Sequence, residues 1–149
     1  MAQAKTIKFG LTAILLGNGG SPSETFGALC GLTELTMTVN IETNTTNVPD
    51  CDDPDLASWL ETDIVSQQMT LAGNGVLDTD AMQEYQDWFM AGDQRNVRWF
   101  RDLTAGAGGG HFQAPAILSS YEETGQRGQR WNVAIGITLN GKPTFTAAT

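Results

Sequence analysis

Period-two alternation of apolar and polar residues runs through most of this chain. Leu35, Met37, Val39 and Ile41 alternate with Glu34, Thr36, Thr38, Asn40 and Glu42, which predicts a half-buried strand with a hydrogen-bonding outer face. Val65, Gln67, Met69 and Leu71 alternate again and run into Ala72-Gly73-Asn74-Gly75. Glycine inside a strand pattern marks a bulge or a close backbone approach. Residues 6–16 predict a first strand with Ile7, Phe9, Leu11 and Ala13 on one face, closed by the turn cluster Gly17-Asn18-Gly19-Gly20-Ser21-Pro22. A short apolar connection follows at 26–32. Over 96–103, Val97, Trp99 and Leu103 face one way and Arg98, Phe100 and Asp102 the other. The glycine-rich turn 104–110 then leads into a return strand over 111–121, whose Pro115 calls for an edge or a bulge. Trp131, Val133, Ile135, Ile137 and Leu139 give the strictest alternation, ending at the tight-turn dipeptide Asn140-Gly141, with a last short strand expected around Phe145.

One stretch breaks the period. Ala81, Met82, Tyr85, Trp88 and Phe89 recur at helical spacing, with Asp80, Gln83, Glu84 and Asp87 on the other side. Asp78 or Thr79 can accept the free N–H groups of a first turn, Asp80 suits the positive end of the helix dipole, and Gly92 stands at the C-cap. A helix over about 79–91 is therefore expected, its aromatic stripe packed over strands such as 131–139 as an outer buttress.

Six to seven strands and one flanking helix predict a mainly β fold, an antiparallel β-sandwich or open barrel. At 149 residues the chain can bury a core of its own, and one domain spanning 1–149 is expected. Residues 43–57 (TNTTNVPDCDDPDLA) are polar and aperiodic, with two prolines and four aspartates, and predict a long exposed loop over about 43–63.

Charge changes the picture more than composition does. The net charge is −9, with 8 Lys and Arg against 17 Asp and Glu, which argues against a protein that grips nucleic acid. Between Phe9 and Gln94 there are fourteen acids and no Lys or Arg. The flanks hold every basic residue and only Asp102, Glu122 and Glu123 as acids. A protomer polarised in this way suits self-association as well as solubility. No apolar run reaches 18 residues, so no membrane span is expected. Lys5 and Lys8 before FGLTAILLG could pass for a signal peptide, but no A-x-A cleavage pattern follows. Cys30 and Cys51 form no CxxC and read as free thiols, with a single disulfide the alternative.

Catalytic chemistry finds no footing. His111 is the only histidine and has neither a nucleophile elbow nor a HExxH motif beside it. The GAGGG turn lacks the Lys-Ser/Thr of a phosphate cradle. The DCDDPD segment lacks the spacing and distal Glu of a calcium loop, and there are too few His and Cys for zinc. No catalytic, cofactor-binding or metal residue is expected.

The order of several phrases resembles another kind of protein. LLGNGGSPSETF is followed by LTELTMTVNIET, a Trp-Leu-Glu segment, the GNGVLDTDA junction, FQAPAILSSYEETG and the terminal WNVAIGITLNGKPTFTA. Together they resemble the major tail (tail tube) proteins of long-tailed, siphovirus-type bacteriophages and gene transfer agents. The 104–110 turn and the DCDDPD loop depart from that pattern. The resemblance implies a structural virion protein, six copies to a ring, with rings stacked into a hollow tube that carries DNA to the host without binding it specifically. It implies tape measure, tail terminator and baseplate or distal tail proteins as partners, assembly in the host cytoplasm, and no membrane insertion by this chain. Tube lumens in the family tend to be acidic; at −9 per subunit, six subunits carry −54. Glu34 and Glu42 are the candidate lumen residues. Asp50, Asp52, Asp53 and Asp55 of the loop are candidate contacts to a basic patch of Arg95, Arg98, Arg127 and Arg130 on another subunit. The alternatives are a tail terminator, a type VI secretion tube subunit, or a soluble β-sandwich binding module using Trp59, Trp88, Trp99 and Trp131 as a stacking platform.

Overall fold

A computed structural model describes residues 2–20 and 23–149. Ser21 and Pro22, the end of the expected turn cluster, lie outside the described residues. In chain order come β1 (Thr12–Gly17), β2 (Phe26–Ala28), β3 (Leu32–Asn47), β4 (Leu60–Val76), α1 (Thr79–Ala91), β5 (Arg95–Arg101), β6 (Gly110–Thr124), β7 (Asn132–Leu139) and β8 (Thr144–Ala147). The described residues thus form a mainly β fold with one helix, as the alternation predicts. All eight strands belong to one antiparallel sheet ordered β2-β1-β5-β6-β7-β4-β3, with β8 on β6.

Register puts the apolar residues on one face. Ile14 and Leu16 of β1 lie opposite Trp99 and Val97 of β5, and Leu71 of β4 lies opposite Ile137 of β7. These residues share one buried cluster with Ala114, Ala116, Val133, Ile135 and Leu139. At the two ends of the strand order, Leu35 and Met37 of β3 line the same cleft as Trp99 and Thr12. The sheet therefore curls until its β3 end faces its β1–β5 end, which is the open-barrel solution to burying one face.

The helix forms as its caps predict. Asp78 Oδ2 accepts from the Ala81 N–H at 3.1 Å, and Gly92, at φ 69°, donates its N–H to the Trp88 carbonyl. Only glycine enters that left-handed region cheaply. Ala81, Tyr85 and Trp88 are buried, and Trp88 Nε1 donates to the Asp93 carbonyl at 2.9 Å. The aromatic contacts fall on β6 in place of the expected 131–139 strand: the Tyr85 and Phe89 rings each lie 5.5 Å from Tyr121. β6 runs past the end of its pairing with β5 at Ala116, leaving the inner face around Tyr121 for the helix to cover.

Four expectations change. The first strand begins at Thr12, because Phe9–Leu11 makes a single 3-10 turn that shifts the parity. The core face of β1 is consequently Ile14 and Leu16, and Ile7 and Phe9 are exposed. Asn140-Gly141 is not a hairpin turn. β7 and β8 both pair with β6, Leu139 opposite Ala116 and Thr144 opposite Gln113, so residues 140–143 bulge out of one nearly continuous strand. Pro115 faces this bulge, its carbonyl accepting from the Asn140 N–H at 2.7 Å, so its missing N–H breaks no ladder bond. Trp131, expected in the core, precedes β7 and is 56% exposed. Both ends of the expected 43–63 loop, 43–47 and 60–63, are paired strand, as described next.

Candidate assembly surfaces

β3 and β4 pair from Leu32 to Asn47 and from Leu60 to Gly75, but β7 covers β4 only from Thr70 to Val76. Residues 39–47 and 60–69 therefore continue as a two-stranded arm, on the order of 33 Å long at about 3.3 Å per residue. The loop proper is only 48–59, and Asp50 Oδ1 organises it by accepting from the N–H groups of Asp52 at 2.7 Å and Asp53 at 3.2 Å. The Ser58 hydroxyl donates to the Asn47 side chain across its mouth. Threonine and β-branched residues hold this ladder, and apart from Met69 it buries almost nothing.

The arm has two unlike faces. Val39, Ile41, Ile64 and Leu60 continue the core face outward, at 49%, 51%, 60% and 62% exposure. On the opposite face Glu42 pairs with Ser66, Asn44 with Asp63 and Thr46 with Glu61, and the same face continues into the body at Glu34 opposite Asn74. A register shift between Glu42 and Thr43 leaves Val65 as the extra residue of a bulge and keeps the acids on that face. Glu34 and Glu42 are thus joined by Glu61 and Asp63, which the loop expectation concealed and which the Leu60-Thr62-Ile64 alternation could have disclosed. Across β3, β4 and β7 the acidic face is otherwise Thr, Asn, Gln, Ser, Ala, Gly and Val76, with no Lys or Arg.

The four arginines separate into two pairs. Arg95 donates from Nε and Nη2 to the Gly17 carbonyl at 3.1 and 2.7 Å and forms an ion pair with Glu84 at 3.3 Å. Arg98 stacks over the Phe26 ring at 3.7 Å and donates from Nε to Gln113 at 2.8 Å. Both are held within the subunit. Arg127 and Arg130 are exposed in the turn between β6 and β7, at the end of β4 opposite the 48–59 tip. Asp50, Asp52, Asp53 and Asp55 are exposed in the tip itself. Cys30 and Cys51 are free and exposed, one at each end of the hairpin.

Ionisation follows burial. The Tyr85 hydroxyl is buried without a hydrogen-bond partner, and burial pushes its pKa up to about 12. Tyr121 is raised as well, first by desolvation and then by its hydrogen bond to Glu123 at 2.6 Å. Desolvation, followed by the Arg98 charge, lowers His111. Among the described residues no group of His, Cys, Asp and Glu converges on a metal-sized site, and no helix is long and apolar enough to cross a membrane. The four tryptophans make no common platform, since Trp88 and Trp99 are buried and Trp59 and Trp131 sit at opposite ends of β4.

Solved structures share this fold. A gene transfer agent tail, from an empty particle refined helically with C6 symmetry, matches with TM-score 0.79 and 19% identity over 95% of this chain and 100% of that one. A native gene transfer agent virion matches with TM-score 0.77 and 18% identity over 95% and 100%. The SPP1 tail tube matches with TM-score 0.67 and 8% identity over 96% and 81%. No curated protein matches the sequence. The sequence model of the family described as phage tail tube protein matches residues 10–145. With that model covering 136 of the 149 residues, the chain belongs to the phage tail tube protein family.

Proposed function

We propose that this chain forms homohexameric rings that stack into the tail tube of a virion, with the face bearing Glu34, Glu42, Glu61 and Asp63 turned to the lumen. The observation that carries this reading is the division of the β3–β4 arm into an acidic, Lys- and Arg-free face and an exposed apolar one. On the other face Val39, Ile41, Ile64 and Leu60, set among Thr43, Thr45, Thr62 and Gln67, are the apolar residues that a neighbouring copy would cover. The acidic face repels a passing polyanion, so DNA meets no anchoring cation on its way through. The C6 symmetry of the related gene transfer agent tail supports six copies to a ring. Exposed strand edges, elsewhere an aggregation hazard, serve here for subunit contact. The aspartates of the tip reach an adjacent ring, with Arg127 and Arg130 as their free basic counterparts and Arg95 and Arg98 as supports of the subunit's own fold. Tape measure, tail terminator and baseplate proteins complete the particle, which assembles in the host cytoplasm.

The test is the double variant Glu34→Lys, Glu42→Lys. It is expected to form tubes of normal width and length while DNA ejection slows or stops, most severely at low salt, where screening is weakest. Ejection at the normal rate through such tubes would remove the lumen assignment.

A further inference from the structure

Trp59 is 92% exposed and Trp131 56% exposed, and the two stand at opposite ends of one strand. Trp59 immediately precedes Leu60, where β4 begins. The Trp131 carbonyl accepts from the N–H of Leu77, one residue past the end of β4. A strand of 17 residues holds the two indoles apart, on the order of 55 Å at about 3.3 Å per residue. They cannot meet within one subunit. Trp59 follows the four exposed aspartates of 50–55 in the same loop, and Arg127 and Arg130 share an exposed turn with Trp131, at an end that also carries Glu122, Glu123 and Asp78. The Trp131 ring lies against Gly125, where any side chain would overlap it, so one side of the indole is backed and the other is open.

We propose that the arm tip of one copy docks on the β6–β7 end of a second copy, Trp59 packing against Trp131 and the acidic turn against Arg127 and Arg130. This rests on the tube reading and names the anchors of its axial contact. Two different surfaces on one chain that fit each other make a heterologous contact, and such a contact propagates instead of closing into a dimer. Tryptophan and arginine are the residues in which interface energy concentrates. The four aspartates of the tip disfavour tip-to-tip pairing, and their attraction to Arg127 and Arg130 favours one polarity of the stack. A displacement roughly along β4 brings the two indoles together with no change in the fold.

Trp59→Ala and Trp131→Ala test this, each first shown by circular dichroism to be folded. Light scattering and negative-stain microscopy are expected to show the concentration needed for assembly raised at least about thirtyfold in each variant. Should Trp131→Ala fail to fold, Arg127→Glu with Arg130→Glu replaces it. That variant should lose assembly and regain it when Asp52→Arg and Asp53→Arg are added to the same chain. Tubes from either tryptophan variant at the unaltered concentration, or no rescue by the charge exchange, would overturn the pairing and leave the tube reading standing. If the unaltered chain forms no tube, the tube reading falls and the pairing falls with it.

Discussion

The two halves of β4 share a ladder with β3 and little else. From Thr70 to Val76 the strand has β7 on its second edge and Leu71 in the core at 1% exposure. From Leu60 to Met69 it has β3 alone, and Ile64 and Leu60 stand in solvent. An isolated two-stranded ribbon is marginal in water, so the outer half owes its order to the inner half and to whatever covers it. The inner half holds the subunit together, and the outer half is the surface that the proposed assembly would cover.

The largest effect that distinguishes the halves is a truncation at matched positions. Leu71→Ala should cost about 3 kcal/mol, the usual loss for a fully buried leucine, and should lower the melting temperature by more than about 10 °C for a domain of this size. Ile64→Ala should change stability by less than about 0.5 kcal/mol, as surface substitutions do, while hindering assembly. Equal losses of stability would erase the distinction. Next comes removal of residues 48–55, which should leave a cooperatively melting subunit that no longer polymerises; tubes of normal length after the deletion would show the tip to be dispensable.

A smaller effect tests the helix side of the body. The unpartnered hydroxyl of Tyr85 is buried, so Tyr85→Phe should be neutral or gain up to about 1 kcal/mol, since a buried donor without a partner costs more than a missing one. The same group sets an alkaline limit. Unfolded tyrosine ionises near pH 10, whereas Tyr85 holds its proton to about 12 and Tyr121 is raised too. Between those values the unfolded state releases protons that the folded state keeps, so stability falls as pH rises. Urea titrations from pH 9 to 12 should show that decline, and Tyr85→Phe should make it shallower.

The helix was legible because its signals are local: an Asp cap, an i, i+3/4 stripe and a Gly stop all fall within 15 residues. The body strands were legible because each buries one face. Only half of the arm was: Val39 and Ile41 extend the β3 alternation, whereas on β4 the extra residue Val65 shifts the parity between Leu60-Thr62-Ile64 and Gln67-Met69-Leu71, next to an aperiodic loop with two prolines. That is why Glu61 and Asp63 stayed hidden while Glu34 and Glu42 did not. The same limit explains Trp131, whose place in an alternating run pointed to the core although the strand begins one residue later. The parity of β1 was lost to the turn at Phe9–Leu11, which no periodicity announces.

Amide hydrogen exchange, followed by mass spectrometry on subunits kept too dilute to assemble and again on assembled tubes, tests the division of β4 most directly. In the dilute subunit, amides of residues 70–76 should be protected to near the global stability, and those of 60–68 with their partners in 39–46 should exchange through local opening. On assembly the outer half should gain protection by at least about a hundredfold, with the inner half unchanged. Outer amides as protected in dilute subunits as in tubes would contradict the account, because the arm would then be complete without a second copy.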